Sequence, residues 1–360
     1  MNTKYGSLVA GLVLYFFYVS HGIANVPIIV GDRDIYEVIR EAPAHSTLLF
    51  DLSRPITLNK PIVIDKPLTL RGLHARLPED LAGTPLIFVT AEGFTIDDFE
   101  LHGNATNLSD DENRTSLLVI IASNFLVKNG LLKNSTQHGV LIATSKYYRS
   151  QIFIETWGGE AGCGAESGIV KNGVVRDLIG ESILRDVVSL TARGGKIRHV
   201  LVENIRSFGG SNRGAVEVAD GSENVIVRNI YAEDSRYALD IMHDHGKDQI
   251  NRNHYAENIH AVRCIEAVRT ANHDSGHVGL TLRNITAENC VMALNVSNII
   301  GVTIDGVRVI DHQGGSLINI SNVHGLIIRD VSLLSGNLNE PAIQIRNSTN
   351  TRVEDLLDSR

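Results

Sequence analysis

One pattern recurs along most of the chain, and it restricts the fold more than any other feature. Short segments in which alternate residues are apolar begin at Ala215, Ala238, Ala267, Ala293, Leu317 and Ala342, so successive starts lie 23, 29, 26, 24 and 25 residues apart. A second set of such segments, out of phase with the first, ends at Asn129, Asn204, Asn229, Asn284, Gly306, Asp330 and Asp355. Alternation of this kind predicts strands. Strands that recur at a nearly fixed spacing predict a solenoid.

Each turn of the predicted solenoid holds two clear strands and a weaker third one. Strands this short do not bury both faces in a sandwich, whereas stacking at about 4.8 Å pairs every turn with the next one. Asn, Asp and Gly at the fixed turn position suit a left-handed backbone conformation, and stacked Asn side chains can hydrogen-bond along the column. Leucine-rich repeats are the alternative solenoid, but their Leu-x-x-Leu-x-Leu-x-x-Asn template does not match these segments.

The segment from Asp34 to Gly72 adds a start signal to the repeat. It begins with an amphipathic stretch, about Asp34 to Glu41, and leads through strands into "PIVIDKPLTLRG". With the repeat, it resembles the right-handed parallel β-helix proteins of the pectin lyase-like superfamily over about residues 27–360. The resemblance implies an all-β, right-handed parallel β-helix with an N-terminal amphipathic capping helix. We expect one domain, with the cap and first rungs in residues 25–80 and the β-helix in residues 81–360.

The N-terminus carries a lysine, an apolar run from about Leu8 to Val19, and then small residues at Gly22 and Ala24. This pattern is typical of a secretory signal peptide, here residues 1–24, and the run is short for a membrane span. We therefore expect a secreted or periplasmic protein that has no membrane attachment after cleavage. The formal charge of −8 argues against nucleic acid as a partner, although a local basic column can still bind an anionic substrate.

Three cysteines are too few for a disulfide framework. Cys264 and Cys290 each fall three residues before a strand start, so they are expected to lie one turn apart. The spacing allows either a disulfide or two small buried residues stacked in a column with Ser235 and Gly314.

The repeat predicts two polar columns beside one strand of each turn. Because side chains alternate along a strand, one outward column comprises Ser189, Glu217, Asp240, Arg269, Asn295, Asn319 and Gln344. Another holds Arg185, Arg213 and Arg236 in successive turns. The loops beside these turns are long and supply His243, Asp244, His245, Lys247, His273 and the single tryptophan, Trp157.

This concentration of charge favours an enzyme that acts on an acidic polysaccharide. Arg185, Arg213, Arg236 and Arg269, helped by Lys247, His273 and Trp157, would hold a uronate polymer. Removal of the C5 proton requires a neutralised carboxylate and a base, for which His243 and His245 are the candidates. Asp240 would orient the histidine or bind a cation, and Tyr237 is a candidate acid. As an alternative, Arg213 and Arg236 would only form ion pairs with Glu217 and Asp240.

The segment Tyr237–Asp244, "YALDIMHD", resembles the Tyr-Gly-x-Asp-Pro-His-Asp motif of mannuronan C5-epimerases. The match carries Tyr237, Asp240, His243 and Asp244, with Ala in place of Gly and Ile-Met in place of the single Pro. The resemblance implies C5 proton abstraction, a step that lyases and epimerases share.

Three other interpretations stay open. Glu217 and Asp240, about one turn apart, are a candidate carboxylate pair for glycoside hydrolysis. Glu217, Asp240 and Asp244 are candidate calcium ligands. The histidines at 243, 245, 273 and 277 are candidate zinc ligands. A non-catalytic polysaccharide-binding or surface protein would use the solenoid only as a rod, and its exposed C-terminal rung would allow a homo-oligomer.

Overall fold

A computed structural model describes residues 26–78, 85–104, 116–144, 168–209, 213–242, 249–270 and 276–358. The chain coils into a parallel β-solenoid, in which each strand pairs with its equivalent one turn before and one turn after. β15 (Gly214–Ala219), for example, is parallel to both β13 (Val188–Thr191) and β18 (Tyr237–Met242). The proposed signal peptide, residues 1–24, lies outside the described residues and stays a prediction, as do the boundaries of the N-terminal region.

The solenoid is built from 28 strands and one helix in its described parts. In chain order they are β1 (Ile28–Ile29), α1 (Ile35–Glu41), β2 (Thr47–Leu49), β3 (Ile56–Thr57), β4 (Ile62–Ile64), β5 (Thr69–Arg71), β6 (His74–Arg76), β7 (Ile87–Val89), β8 (Thr95–His102), β9 (Leu118–Ile120), β10 (Leu126–Ser135), β11 (Val140–Ala143), β12 (Ile169–Ile183), β13 (Val188–Thr191), β14 (Lys196–Phe208), β15 (Gly214–Ala219), β16 (Ser222–Glu223), β17 (Ile226–Glu233), β18 (Tyr237–Met242), β19 (Arg252–Val262), β20 (Glu266–Arg269), β21 (His277–Glu288), β22 (Met292–Ile310), β23 (His312–Gln313), β24 (Ile318–Leu333), β25 (Gly336–Asn337), β26 (Ile343–Arg346), β27 (Thr349–Val353) and β28 (Leu356–Asp358).

The bends between strands confirm the prediction made from the repeated polar residue. The seven residues singled out there, Asn129, Asn204, Asn229, Asn284, Gly306, Asp330 and Asp355, all have φ between 51° and 80°. Asn side chains in this column bond from turn to turn: Asn229 donates to Asn204 at 3.0 Å, and Asn258 donates to Asn229 at 2.9 Å. A left-handed bend at each turn therefore sets the strand register, and the amide column ties consecutive turns together.

Inward side chains, mostly Val, Ile and Leu, form one continuous core through the solenoid. In most strands, buried residues alternate with partly exposed ones, as period-two alternation predicts. β15 and β18 are buried at all six residues of each, as β7, β9, β11 and β13 are along their whole length. In β15 and β18 this burial removes two charged side chains of the outer face, Glu217 and Asp240, from water.

Helix α1 precedes the first stacked strands. Asp34 caps it by accepting hydrogen bonds from the backbone N–H groups of Tyr36 and Glu37, and Ile35, Val38 and Ile39 are buried. The amphipathic helix expected from the sequence is therefore present, while its role as a cap of the solenoid stays a prediction. Within the described ranges, no helix has the length and apolar character needed to cross a bilayer.

Cys264 and Cys290 are free, buried thiols in neighbouring turns. The backbone N–H of Val291 donates to the carbonyl of Cys264, which fixes the stacking of the two turns. Ser235 occupies the equivalent place one turn earlier and is also buried. Of the two arrangements that the spacing allowed, the structure therefore has the stacked buried column.

Candidate functional site

The outward column has the register that the sequence predicts. Strand pairing joins Ser189 to Glu217, Glu217 to Asp240, Asp240 to Arg269, Arg269 to Asn295, Asn295 to Asn319, and Asn319 to Gln344. Each residue thus stacks on its neighbour one turn away. We call the strands that carry this column the groove strands: β11, β13, β15, β18, β20, β26 and the first residues of β22 and β24.

Glu217 and Asp240 are buried, with exposed fractions of 1% and 0%, although both point to the outer face. Arg213 contacts Glu217 with Nη1 at 2.5 Å from Oε1, and the Ser189 hydroxyl donates to Oε2 at 2.6 Å. Arg269 binds both oxygens of Asp240. The pair has the outward orientation expected from the sequence, but guanidinium groups lie on both carboxylates and cover them.

The alternative in which Arg213 and Arg236 form ion pairs with Glu217 and Asp240 is correct only for Arg213. Arg213 pairs with Glu217, and Arg185 lies 3.8 Å from the same carboxylate. Asp240 pairs with Arg269 of the following turn. Arg236 is exposed, and no ion pair joins its side chain to another residue in the parts of the chain that the structure describes. Its backbone N–H donates to the Arg213 carbonyl, so Arg185, Arg213 and Arg236 do form the predicted arginine column in successive turns.

A second column lies three positions before residues 141, 189, 217 and 240 of the groove strands and holds His138, Asp186, Gly214 and Tyr237. The Tyr237 ring lies against Gly214, where a Cβ atom would come within 2.5 Å of the ring. Glycine is therefore required at this position to admit the tyrosine. We call these four residues the turn column. It places a histidine, a carboxylate and a phenol beneath the arginine column.

Tyr237 is completely buried, and its hydroxyl has no hydrogen-bond partner among the described residues. The Arg269 guanidinium lies 4.7 Å from the ring centroid, a cation–π contact. Burial, reinforced by the charges of Asp186, Asp240 and Glu217, raises the pKa of Tyr237 well above its ordinary value. The phenol therefore keeps its proton at neutral pH, as a candidate acid requires.

Burial also dominates the titration of the surrounding carboxyl groups. It raises the pKa of Asp240 to about 6 against the opposing effect of Arg269, and that of Asp186 to about 6 against Arg213 and Arg185. Burial, together with the Arg185 charge, lowers the pKa of His138 to about 3. His138 is accordingly neutral at neutral pH, and it lies 3.4 Å from Asp186.

The carboxylates of Glu217 and Asp240 do not fit the calcium site expected from the sequence. Calcium prefers six to eight oxygen ligands, whereas Arg213, Ser189 and Arg269 occupy the oxygens of both groups. Asp186 and His138 lie close enough to Glu217 to share an ion, but the same arginine contacts oppose a cation there. Among the described residues of the site, arginine side chains supply the positive charge beside both carboxylates, and the calcium assignment stays a prediction.

Several predicted site residues lie outside the described residues: His243, Asp244, His245, Lys247, His273 and Trp157. Three of the four histidines proposed for zinc, His243, His245 and His273, are among them. His277 is described and is buried at the start of β21. The assignments of base, metal ligand and stacking aromatic to the residues outside the described ranges therefore stay predictions.

Sequence reasoning missed His138 and Asp186. Asp186 follows Arg185 directly, and the only available signal was a charged residue two positions before an apolar strand. The Asp186 carboxyl oxygens have no hydrogen-bond partner among the described residues. The backbone N–H of Gly214 donates to the Arg185 carbonyl. This N–H also lies close enough to Asp186 to favour the ionised carboxylate. An unpaired buried carboxyl group is costly, which marks the position as a functional candidate.

No family model matches the chain, and no curated protein matches it. Solved structures do. The A-module of the Azotobacter vinelandii mannuronan C-5 epimerase AlgE4 has a TM-score of 0.54 at 12% identity, covering 86% of each chain. The AlgE6 A-module of the same organism has a TM-score of 0.52 at 10% identity, covering 90% of this chain and 91% of that one.

A Yersinia enterocolitica family 28 exopolygalacturonase has a TM-score of 0.56 at 12% identity and covers 92% of this chain and 79% of that one. At such low identities the likeness shows the fold alone. The chain has the right-handed parallel β-helix fold that the sequence predicted.

Proposed function

We propose that this protein is a secreted or periplasmic β-helix enzyme that acts on an acidic polysaccharide by abstraction of the C5 proton of a uronate, as a lyase or a C5-epimerase. The observation that carries the proposal is the arginine column, Arg185, Arg213 and Arg236, with Arg269 beside it. Arg236 is exposed and the side chains of the other three arginines are 15–26% exposed, whereas the carboxylates and the phenol beside them are buried.

Stacked arginines at one-turn spacing repel one another unless negative charge lies between or beneath them. Glu217 and Asp240 supply two negative charges from below, and a polyanion lying along the groove would supply more from above. A uronate carboxylate could accept paired hydrogen bonds from one guanidinium, an interaction that is strong because both groups are charged. The exposed side chain of Arg236 is the most accessible candidate for this contact.

Proton abstraction beside a carboxylate becomes easier when positive charge stabilises the anion that develops. Arginine would do this here, and His243 or His245, which follow β18 in the sequence, would take the C5 proton. Tyr237 keeps its proton at neutral pH, but its side chain is completely buried. It would return a proton to C5 in an epimerase only after a movement that brings the hydroxyl to the groove. In a lyase it would protonate the oxygen that leaves as the C4–O bond breaks.

The structural neighbours support the carbohydrate assignment and leave the reaction open. An epimerase and an exopolygalacturonase both have TM-scores above 0.5 against this chain. Hydrolysis by Glu217 and Asp240 is less well supported, because both carboxylates are buried and bonded to arginine. A hydrolytic acid or nucleophile must instead reach the glycosidic bond.

Proton NMR of the purified protein with a panel of polyuronates in D₂O tests the proposal. Exchange or inversion of the H5 signal supports an epimerase, and new vinylic protons support a lyase. New reducing ends without either change would establish hydrolysis and overturn the proposal. No change with any polyuronate would favour a polysaccharide-binding rod. Parallel samples with calcium and with a chelator decide whether a metal takes part.

Replacement of the proposed base gives a second test. His243→Ala and His245→Ala are each compared with the parent protein, and loss of H5 exchange in a folded variant identifies the base. His260→Ala is the matched control, since His260 is a half-exposed histidine of β19, on a different strand set from the groove strands. If both loop variants keep full activity, the assignment of the base is wrong.

A further inference from the structure

A cluster of two histidines and one glutamate lies on strands away from the groove strands. His74 belongs to β6 and lies directly opposite Glu100 of β8, in the next turn. His102 is two residues beyond Glu100, so both side chains lie on the same face of β8. One potential ligand atom from each of the three residues lies within 4.8 Å of the other two. None of these residues takes part in the proposed reaction.

The hydrogen bond of His74 prepares it to bind a metal ion. Its Nδ1 lies 3.0 Å from the backbone carbonyl oxygen of Leu52. Because a carbonyl oxygen only accepts, Nδ1 must carry the proton, and the lone pair is left on Nε2. Metal-binding histidines commonly show this arrangement, in which a backbone carbonyl fixes the tautomer and the orientation of the ring.

His102 and Glu100 supply the second and third ligands. His102 Nε2 lies 2.5 Å from Glu100 Oε1, so one proton joins the two atoms. An ion bound here would take the Nε2 lone pair of His102 and one Glu100 oxygen, and the proton between them would move to His102 Nδ1 or to solvent. The Lys133 ammonium group lies 3.7 Å from Glu100, but it also lies 3.3 Å from Glu181. Lys133 therefore has another carboxylate partner available when a cation occupies the cluster.

We propose that His74, Glu100 and His102 bind one divalent transition-metal ion of the zinc class. Two imidazole nitrogens and one carboxylate oxygen suit zinc and its neighbours, and do not suit magnesium or calcium, which prefer oxygen ligands. Ligands about 2.1 Å from a tetrahedral ion lie about 3.4 Å from one another, so small side-chain movements on fixed strands would complete the site. The side chains of Glu100 and His102 are 24% and 26% exposed, which leaves a fourth position for water or another ligand.

The other histidine–carboxylate cluster, His138 with Asp186 and Glu217, is not equivalent to this one. Arg213 and Ser189 occupy both Glu217 oxygens, and Arg185 lies nearby. Among the described residues, the only lysine or arginine paired with the Glu100 carboxylate is Lys133, which has its alternative partner. The two clusters thus have different electrostatic surroundings, and only the cluster of His74, Glu100 and His102 favours a cation.

The proposal is tested with Zn²⁺ and Co²⁺ on the untagged protein, because a histidine tag would bind both ions. Calorimetry with Zn²⁺ is expected to show one ion per chain, and Co²⁺ is expected to give the visible absorption of a tetrahedral site. Zn²⁺ should also raise the unfolding temperature, because an ion that binds only the folded state stabilises it. His102→Ala and Glu100→Gln should each weaken binding by at least about tenfold.

His260→Ala is the matched control, since His260 also lies beside a strand glutamate, Glu288, at 3.4 Å, but without a second histidine among the described residues. This variant should bind Zn²⁺ as the parent protein does. Lys133→Gln removes the competing cation and should strengthen binding. Equal binding by the parent, His102→Ala and Glu100→Gln proteins would overturn the proposal, as would the absence of a bound ion in the folded parent protein.

Discussion

Arg269 binds both carboxylate oxygens of Asp240, its neighbour in the preceding turn, with Nη2 at 2.5 Å from Oδ2 and Nε at 3.1 Å from Oδ1. Asp240 is fully buried. Removal of the arginine charge would leave a buried anion without its partner. We therefore expect Arg269→Gln to lower the free energy of unfolding at pH 8 by about 3–5 kcal/mol, measured by urea denaturation.

The pH dependence of this loss has a definite sign. Burial already raises the pKa of Asp240 to about 6, and loss of Arg269 would raise it further. A raised pKa in the folded state destabilises the protein at high pH and ceases to do so once the group is protonated. The effect of Arg269→Gln should therefore shrink as pH falls from 8 towards 6, and should be small below about pH 6, where Asp240 is protonated in both folded proteins. The double variant Asp240→Asn/Arg269→Gln should recover most of the stability at pH 8; a loss as large as that of the single variant would contradict the pairing argument.

Tyr237→Phe should separate activity from stability. The hydroxyl is buried and makes no hydrogen bond within the described residues, so its removal breaks none. We expect the free energy of unfolding to stay within about 1 kcal/mol of the parent value or to rise. If the phenol is the proton donor, turnover should fall by at least about 100-fold.

Tyr255→Phe is the control for this variant. The Tyr255 hydroxyl donates to Glu257 at 2.7 Å on β19, away from the groove strands, so turnover should not change. Full activity of Tyr237→Phe would instead make Tyr237 a core residue without a chemical role.

Asp186→Asn is expected to stabilise the protein above pH 6. Burial raises the pKa of Asp186 from 3.8 to about 6, so ionisation costs folding free energy as pH rises through this range. The two proteins should be equally stable below about pH 4, and by pH 8 the variant should be more stable by about 3 kcal/mol.

The measurement is the difference in unfolding free energy between the parent and Asp186→Asn proteins from pH 4 to pH 8. Burial lowers the pKa of His254 to about 4, which destabilises both proteins equally on acidification and cancels in the difference. A constant difference across this range would show that Asp186 is not ionised in the folded protein.

The register of the groove strands was predictable because side chains alternate with a period of two and the bends fall at a repeated Asn, Asp or Gly. These two constraints are sufficient to place Glu217 beside Asp240 and Asp240 beside Arg269. The same alternation does not say what covers the outer face. The burial of Glu217 and Asp240 was therefore missed, since it depends on the arginines of neighbouring turns.

The turn column was hidden for a different reason. Its successive positions hold His138, Asp186, Gly214 and Tyr237, which share neither size, polarity nor charge. A repeat is recognised from similar residues at equivalent positions, so a column of dissimilar residues gives no signal. Only the stacking of turns shows that the glycine makes room for the Tyr237 ring and brings it near Asp186.

Arg236 allows substrate binding to be tested without disturbing the fold. It is exposed, and its side chain has no ion pair with any described residue, so Arg236→Ala should change the free energy of unfolding by less than about 0.5 kcal/mol. Loss of one charge-assisted contact to a uronate carboxylate should raise KM for a polyuronate by about tenfold or more. The KM of the parent protein should also rise with salt, and this dependence should be weaker in the variant.

Arg308→Ala is the control, because Arg308 is also exposed but lies near the end of β22, far along that strand from the groove residue Asn295. Its removal changes the net charge equally, so a general electrostatic effect would alter KM in both variants to the same extent. A selective effect of Arg236→Ala locates the polyanion on the arginine column. Equal effects, or none, would remove the column from the substrate site, and with it the observation on which the proposed function rests.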